Sequence, residues 1–110
     1  MLLPNSNRAV VDITKLRDYC LSATHPRGRH KARMFGASLG MTAADAAELR
    51  DAILDAVLRV DAIETESDEF GRRFVVDFVL SHRGRTAEIR TAWIVRRREE
   101  FPRLTSCYVL

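Results

Sequence analysis

The chain has 110 residues, which is enough for one domain built around one hydrophobic core. Hydrophobic residues make up 46% of the sequence, which excludes an intrinsically disordered protein. No apolar run approaches the roughly 20 residues that cross a bilayer, the start lacks the pattern of a signal peptide, and two cysteines imply no disulfide framework. We therefore expect a single cytoplasmic domain over residues 1–110 with no membrane partner.

The formal net charge is only +3, but it is unevenly distributed along the chain. Residues 1–40 carry seven Lys or Arg against two Asp, residues 41–70 carry nine acidic residues against two Arg, and residues 71–110 carry nine Arg against four acidic residues. If the two basic segments meet in space, they form a face that attracts anions. The alternative is a solvated surface that binds no partner.

The first half of the chain predicts helices. Asp12 is a plausible N-cap for a short helix over residues 13–21. A second helix is predicted over residues 29–39, because apolar residues recur there at i, i+3 and i+7, and Gly40 follows as a C′ glycine.

A third helix is the clearest element of the sequence. Thr42 and Asp45 have the spacing of a capping box, and an apolar stripe predicts that the helix they open runs to about Val60. The polar, acidic residues 61–71 that follow are predicted to form a loop.

Beyond that loop the apolar period changes from 3.6 to 2, which indicates strands. Alternation over residues 73–80, a hairpin turn at residues 81–84, a second strand over residues 85–96 and a last strand over residues 103–110 follow in order. Helices first and strands after predict an α+β fold: three helices followed by a small antiparallel sheet of three to four strands.

The segment 26–33 contains the first group of candidate site residues. It places His30 and Lys31 at a helix N-terminus, where free N–H groups and the helix dipole suit a phosphate. Arg29 and Arg33 flank them and are candidate substrate-binding residues. The alternative is a surface histidine in a basic loop.

The last strand contains the second group. Arg can hold a phosphate through two hydrogen bonds, and Ser and Tyr hydroxyls can position or protonate an oxygen, so Arg103, Ser106 and Tyr108 are candidates. Arg90 is either a substrate contact or a solvated edge charge. In the alternative interpretation Tyr108 packs in the core and Ser106 fills a small site.

Several common sites are absent from the sequence. There is no Gly-rich phosphate loop, HExxH motif, paired-cysteine motif or nucleophile elbow, and the three histidines do not have metal-ligand spacing. We therefore expect no metal and no cofactor, and we assign no role to His25 and His82.

Six short motifs, spread over nearly the whole chain, form a pattern. They are Leu3-Pro4-Asn5, Leu16-x-x-Tyr19, His25-Pro26-x-Gly28-x-His30-Lys31-Ala32-Arg33, Gly71-Arg72-Arg73-Phe74-Val75-Val76-Asp77, Thr91-Ala92-Trp93 and Pro102-Arg103-Leu104-x-x-x-Tyr108. The pattern resembles a small bacterial domain family of unknown function that occurs alone and at the C-termini of polymorphic toxins and phage-associated proteins. That domain is in turn similar to the barnase/EndoU/colicin/RelE (BECR) group of metal-independent ribonucleases.

The resemblance implies a site in which a histidine and basic residues of the helical half meet hydroxyls of late strands. By position these are His30, Lys31, Arg103, Ser106 and Tyr108. Ser106 stands where related sequences usually have Thr. EndoU-like sites use two histidines, whereas only one histidine of this chain, His30, stands at a matching position. The resemblance therefore leaves Tyr108, Lys31 or water as the general base.

The expected function is therefore a metal-independent endoribonuclease toxin that cleaves RNA through a 2′,3′-cyclic phosphate. RNA supplies its own nucleophile, so the protein needs only an acid–base group and cations around the developing charge. The expected partners are RNA and a cognate antitoxin or immunity protein. The alternative is a non-catalytic protein- or nucleic-acid-binding module of a toxin–antitoxin or similar system.

Overall fold

The computed structural model describes all residues 1–110, with three helices followed by a four-stranded antiparallel sheet. The predicted α+β fold is confirmed. The elements are α1 (Ile13–Lys15), which continues as a π-helical turn (Leu16–Cys20), α2 (Arg29–Leu39), a 3₁₀ turn (Ala43–Asp45), α3 (Ala46–Ala56), β1 (Ile63–Asp68), β2 (Gly71–His82), β3 (Arg85–Arg96) and β4 (Arg103–Val109).

The predicted helix signals are present in the structure. The Asp12 side chain accepts a hydrogen bond from the Thr14 backbone N–H at 3.0 Å, as an N-cap does. Gly40 ends α2 in the left-handed region, with φ 68°. Thr42 and Asp45 form both hydrogen bonds of the predicted capping box.

The prediction that the third helix reaches Val60 is wrong, because α3 ends at Ala56. In the next turn the N–H of Leu58 bonds to the carbonyl of Asp55, three residues back, rather than four. Val57 in that turn is still fully buried. The apolar stripe therefore continues past Ala56, the last residue of α3, which is why the sequence pattern overestimates the length of the helix.

The prediction of a loop over residues 61–71 is also wrong, because Ile63–Asp68 form β1 at the edge of the sheet. Five of the six residues are exposed, so this strand shows no buried alternation. It is held by backbone pairing with β2 and by ion pairs that Glu64 and Asp68 make with arginines of β2. Acidic side chains on an edge strand also discourage pairing with other chains.

The sheet has the order β1-β2-β3-β4, with every neighbour antiparallel. Arg83 and Gly84 make the β2–β3 turn, and both have positive φ (50° and 79°), as a two-residue type I′ hairpin requires. The predicted alternation is confirmed, because the even-numbered apolar residues of β2 from 74 to 80 are buried. The helices cover this buried face.

A short hydrogen-bonded chain orders the centre of the core. Trp93 donates its indole N–H to the hydroxyl of Thr91, which donates to the carbonyl of Val76, each at 2.8 Å. This pairing satisfies the polar atoms of two fully buried side chains. Trp93 is therefore a core residue.

The N-terminal segment extends the sheet beyond β4. Val10 forms a parallel bridge with Arg103, so the chain start and the chain end are held together. No helix of the structure combines the length and the apolar character that crossing a membrane requires.

Candidate anion-binding groove

A shallow groove of about 330 Å³ lies where α2 meets the end of β4. It brings together three of the predicted catalytic residues: His30 and Lys31 from the first turn of α2, and Tyr108 from β4. Met34 and Val109 complete its lining. No side chain caps the start of α2. The N–H of Arg29 bonds to the carbonyl of His25 at 2.9 Å, and the N–H groups of His30 and Lys31 remain available to an anion.

Lys31 is positioned by aromatic rings rather than by a carboxylate. Its Nζ lies 5.2 Å from the ring centroid of Tyr19 and 5.8 Å from that of Tyr108. Both distances are within the range of cation–π attraction. The ammonium group is thus held in place, and no carboxylate neutralises its charge.

The turn before α2 is built by His25, for which the sequence suggested no role. Its Nδ1 accepts hydrogen bonds from the backbone N–H groups of Arg27 and Gly28, both at 3.0 Å. Its ring also packs edge-on against Tyr19, with centroids 4.7 Å apart. His25 is therefore a positioning residue for the start of α2, and the signal for it in the sequence was the Pro-x-Gly turn that follows.

Arg90 lies next to Tyr108, because the two residues are directly paired in the register of β3 and β4. Its guanidinium makes two hydrogen bonds to Asp77, at 2.9 and 2.8 Å. This pair lowers the pKa of the Asp77 carboxyl, and Asp77 together with Tyr108 raises the pKa of Arg90. Arg90 therefore flanks the groove as a permanently charged, firmly oriented cation.

Arg103 does not line the groove. It is five positions from Tyr108 on β4, roughly 16 Å at about 3.3 Å per residue. Its guanidinium makes two 2.8 Å hydrogen bonds to Glu99 and lies 5.0 Å from the centroid of Phe101. The ion pair lowers the pKa of the Glu99 carboxyl, and Glu99 neutralises the charge of Arg103.

Ser106 and two of the arginines also lie outside this groove. Ser106 is half-buried opposite Ala92. Arg29 and Arg33 line a separate, larger cleft of about 560 Å³ beside the 3₁₀ turn. The structure thus divides the predicted site residues between the groove, its flank and two other surfaces.

The family of the chain is given by its sequence. Residues 2–110 match the family model described as "Domain of unknown function (DUF6883)". The chain belongs to this family. No curated protein and no solved structure matches it.

The cations of this DUF6883 domain are of two kinds. Four arginines of the sheet region are paired with carboxylates: Arg72 with Glu64, Arg73 with Asp68, Arg90 with Asp77 and Arg103 with Glu99. None of the four cations between residues 27 and 33 forms a salt bridge. Five further arginines of the sheet region also form no salt bridge: Arg83, Arg85, Arg96, Arg97 and Arg98. Uncompensated positive charge therefore lies around the start of α2, beside the groove, and also at the β2–β3 turn and the end of β3.

Proposed function

We propose that this DUF6883 domain is a metal-independent endoribonuclease of the BECR toxin kind. The observation that carries the proposal is the groove itself. It combines an exposed histidine, a lysine without a carboxylate partner and a tyrosine hydroxyl, beside further unpaired cations. An acid–base group next to cations is what phosphodiester cleavage by an internal nucleophile requires.

The proposed reaction is a transesterification within the RNA. The 2′-oxygen attacks phosphorus and loses its proton, the new P–O2′ bond forms, and the P–O5′ bond breaks. The products are a 2′,3′-cyclic phosphate and a 5′-hydroxyl, which takes up one proton. The atoms balance without any further reactant.

Each groove residue has a chemical role in this proposal. His30 exchanges a proton with the attacking or the leaving oxygen, and Lys31 stabilises the charge that builds up on the non-bridging oxygens. The hydroxyl of Tyr108 donates a hydrogen bond to the phosphate or acts as the base. Arg90 is paired with Asp77 and so adds no free cation to the groove; we assign it the role of positioning Tyr108, its neighbour across β3 and β4.

Two residues lose the catalytic roles that the resemblance implied. Arg103 is neutralised by Glu99 and lies at the other end of β4, and Ser106 does not reach the groove. We assign both a structural role. Arg29 and Arg33 remain candidate substrate-binding residues, because RNA is long enough to contact a second surface of α2.

The proposed partners follow from the charge of the groove. RNA is the substrate, and an acidic antitoxin or immunity protein that covers the cations of residues 27–33 is the natural inhibitor. The two unpaired, buried cysteines are consistent with the cytoplasm as the place of action.

A second function is favoured because the groove contains a single histidine, His30. His25 is used in a turn and His82 lies on the buried face of the sheet, so His30 has no histidine partner. A non-catalytic module that binds an anionic protein or nucleic acid with the same surface needs only the cations. The two functions differ in one observable, which is whether RNA is cut.

The test is incubation of the purified protein with RNA in the presence of EDTA. We expect cleavage, products that end in a 2′,3′-cyclic phosphate, and resistance of an RNA that carries 2′-deoxyribose at the cut site. Cleavage of DNA, or of the 2′-deoxy substrate, would refute the mechanism. RNA that is bound but left intact would favour the binding module.

A further inference from the structure

His82 is a buried histidine whose ring nitrogens have no hydrogen-bond partner. It ends β2 on the core-facing side of the sheet, and its side chain is 3% exposed. Neither Nδ1 nor Nε2 makes a hydrogen bond of acceptable geometry. Buried polar groups are nearly always paired, so these two nitrogens call for an explanation.

Two carboxylates at the start of α3 face this ring. Glu48 Oε2 is in contact with Nδ1, and Asp45 Oδ2 lies 3.9 Å from Nε2. Asp45 already accepts the backbone N–H of Thr42 at 2.9 Å, which fixes its orientation. Both carboxylates lie at the N-terminal end of α3, where the helix dipole attracts negative charge.

The three side chains offer a compact set of ligands. One nitrogen and two carboxylate oxygens, one atom from each residue, lie within 4.8 Å of one another. Around a Zn²⁺ ion with bonds of about 2.0–2.2 Å, neighbouring ligand atoms are about 3.4 Å apart. The side chain of Glu48 is 56% exposed, so it can adjust to the distances that a bound ion requires.

We propose that Asp45, Glu48 and His82 bind a divalent cation of the Zn²⁺ class. The imidazole nitrogen favours Zn²⁺ and related transition metals over Mg²⁺ or Ca²⁺, which prefer oxygen ligands. The cation replaces the direct contact between His82 and Glu48 and balances two negative charges. It ties the β2–β3 hairpin to the start of α3, and it uses none of the residues of the anion-binding groove.

The experiment begins with protein stripped by EDTA and transferred to metal-free buffer. Titration with Zn²⁺ in a calorimeter should give one tight site per chain, and saturating Zn²⁺ should raise the Tm, because a ligand that binds only the folded state stabilises it. Mg²⁺ at the same concentration should do neither. Absence of a stoichiometric Zn²⁺ site would overturn the proposal and leave the direct contact between His82 and Glu48 as the explanation.

Variants locate the site. Glu48→Gln removes one ligand at a half-exposed position and should weaken Zn²⁺ binding by roughly 100-fold. His82→Leu should abolish the site. The matched control is Asp51→Asn, which removes an exposed carboxylate from the same helix and should leave the affinity unchanged.

A second control addresses other zinc ligands of the chain. His30→Ala should also bind Zn²⁺ as wild type does, because His30 lies in the separate groove. Zn²⁺ affinity that is the same in Glu48→Gln as in wild type would contradict the assignment, even if His82→Leu failed to fold.

Discussion

Two regions of this molecule carry most of its basic residues, and they differ in what surrounds each charge. The sheet region holds nine arginines, and four of them are paired with carboxylates of neighbouring strands and turns. The segment 27–33, at the start of α2, holds four cations, and none of them has a carboxylate partner. The first region uses four of its charges in ion pairs with carboxylates, and the second leaves all of its charges available.

The difference shows why a charge count is a weak guide to a binding surface. By composition the C-terminal third has the same net charge as the N-terminal segment, and it contains more arginines. Residues of the acidic segment, including Glu64 and Asp68, fold back to neutralise part of it. Only the pairing in the structure tells which basic region can attract an anion.

The largest expected effect concerns His30. If it transfers a proton in RNA cleavage, His30→Ala should lower the cleavage rate by about 10²–10⁴-fold, as is usual for loss of a general acid–base. His30 is exposed, so the Tm should stay close to that of wild type. Cleavage is measured on a labelled RNA under single-turnover conditions.

The matched variant is Ser106→Ala, which removes a residue that the resemblance placed in the site and the structure places outside the groove. We expect cleavage close to the wild-type rate. A loss as large as that of His30→Ala would show that the reacting phosphate lies elsewhere on β4.

The next effect concerns the turn that presents the cations. A Cβ at Gly28 would lie 2.0 Å from the backbone oxygen of Tyr19, so Gly28→Ala must displace one of the two segments. We expect a loss of about 1–3 kcal/mol in the free energy of unfolding, as for overpacking elsewhere. RNA binding should weaken as well, because the start of α2 moves.

Gly36→Ala is the control within the same helix. Its Cβ would meet only the Met41 carbonyl oxygen at 3.9 Å, and alanine in a helix interior should stabilise the protein by about 0.5–1 kcal/mol. Denaturant unfolding of both variants measures the contrast. Equal stability of the two would contradict the close approach of Gly28 and Tyr19.

The sequence was sufficient for those elements whose signals are local. The capping box of Thr42 and Asp45 and the alternation in β2 each follow from spacing alone, and both are present. The edge strand β1 was missed because its exposed residues have no period, and its pairing depends on β2.

The candidate site could be predicted from the sequence only in part, because some of its contacts depend on residues that are distant in the sequence. His30 and Lys31 adjoin in the sequence, and their place at a helix start could be read from it. The separation of Arg103 from Tyr108 depends on strand geometry, and its neutralisation depends on Glu99 in the preceding turn. Likewise, His82 meets α3 only in the folded chain.

The smallest expected effect concerns the pairing of Arg90. Its hydrogen bonds lower the pKa of Asp77, so the pair stabilises the folded state above the ordinary pKa of an aspartate, and this contribution is lost as the pH falls through the lowered value. Asp77→Asn should therefore reduce the Tm slightly at pH 7. The difference between the two proteins should begin to shrink as the pH falls through about 4 and should vanish below the lowered pKa of Asp77. A difference that persisted there would assign the effect to packing.

We expect the cations of residues 27–33, and not the paired arginines of the sheet, to meet the phosphates of RNA. This expectation is tested by the salt dependence of binding to a 2′-O-methyl oligoribonucleotide, which lacks the nucleophile and cannot be cut. Two triple variants remove the same charge from the two regions. They are Arg27→Gln/Lys31→Gln/Arg33→Gln and Arg72→Gln/Arg73→Gln/Arg103→Gln.

Each lost phosphate contact on a single strand reduces the slope of log K against log salt by about 0.7. The first variant should therefore bind weakly, with a slope reduced by about 2, and the second should keep the wild-type slope. Equal reductions in both variants, or a larger one in the second, would contradict the account.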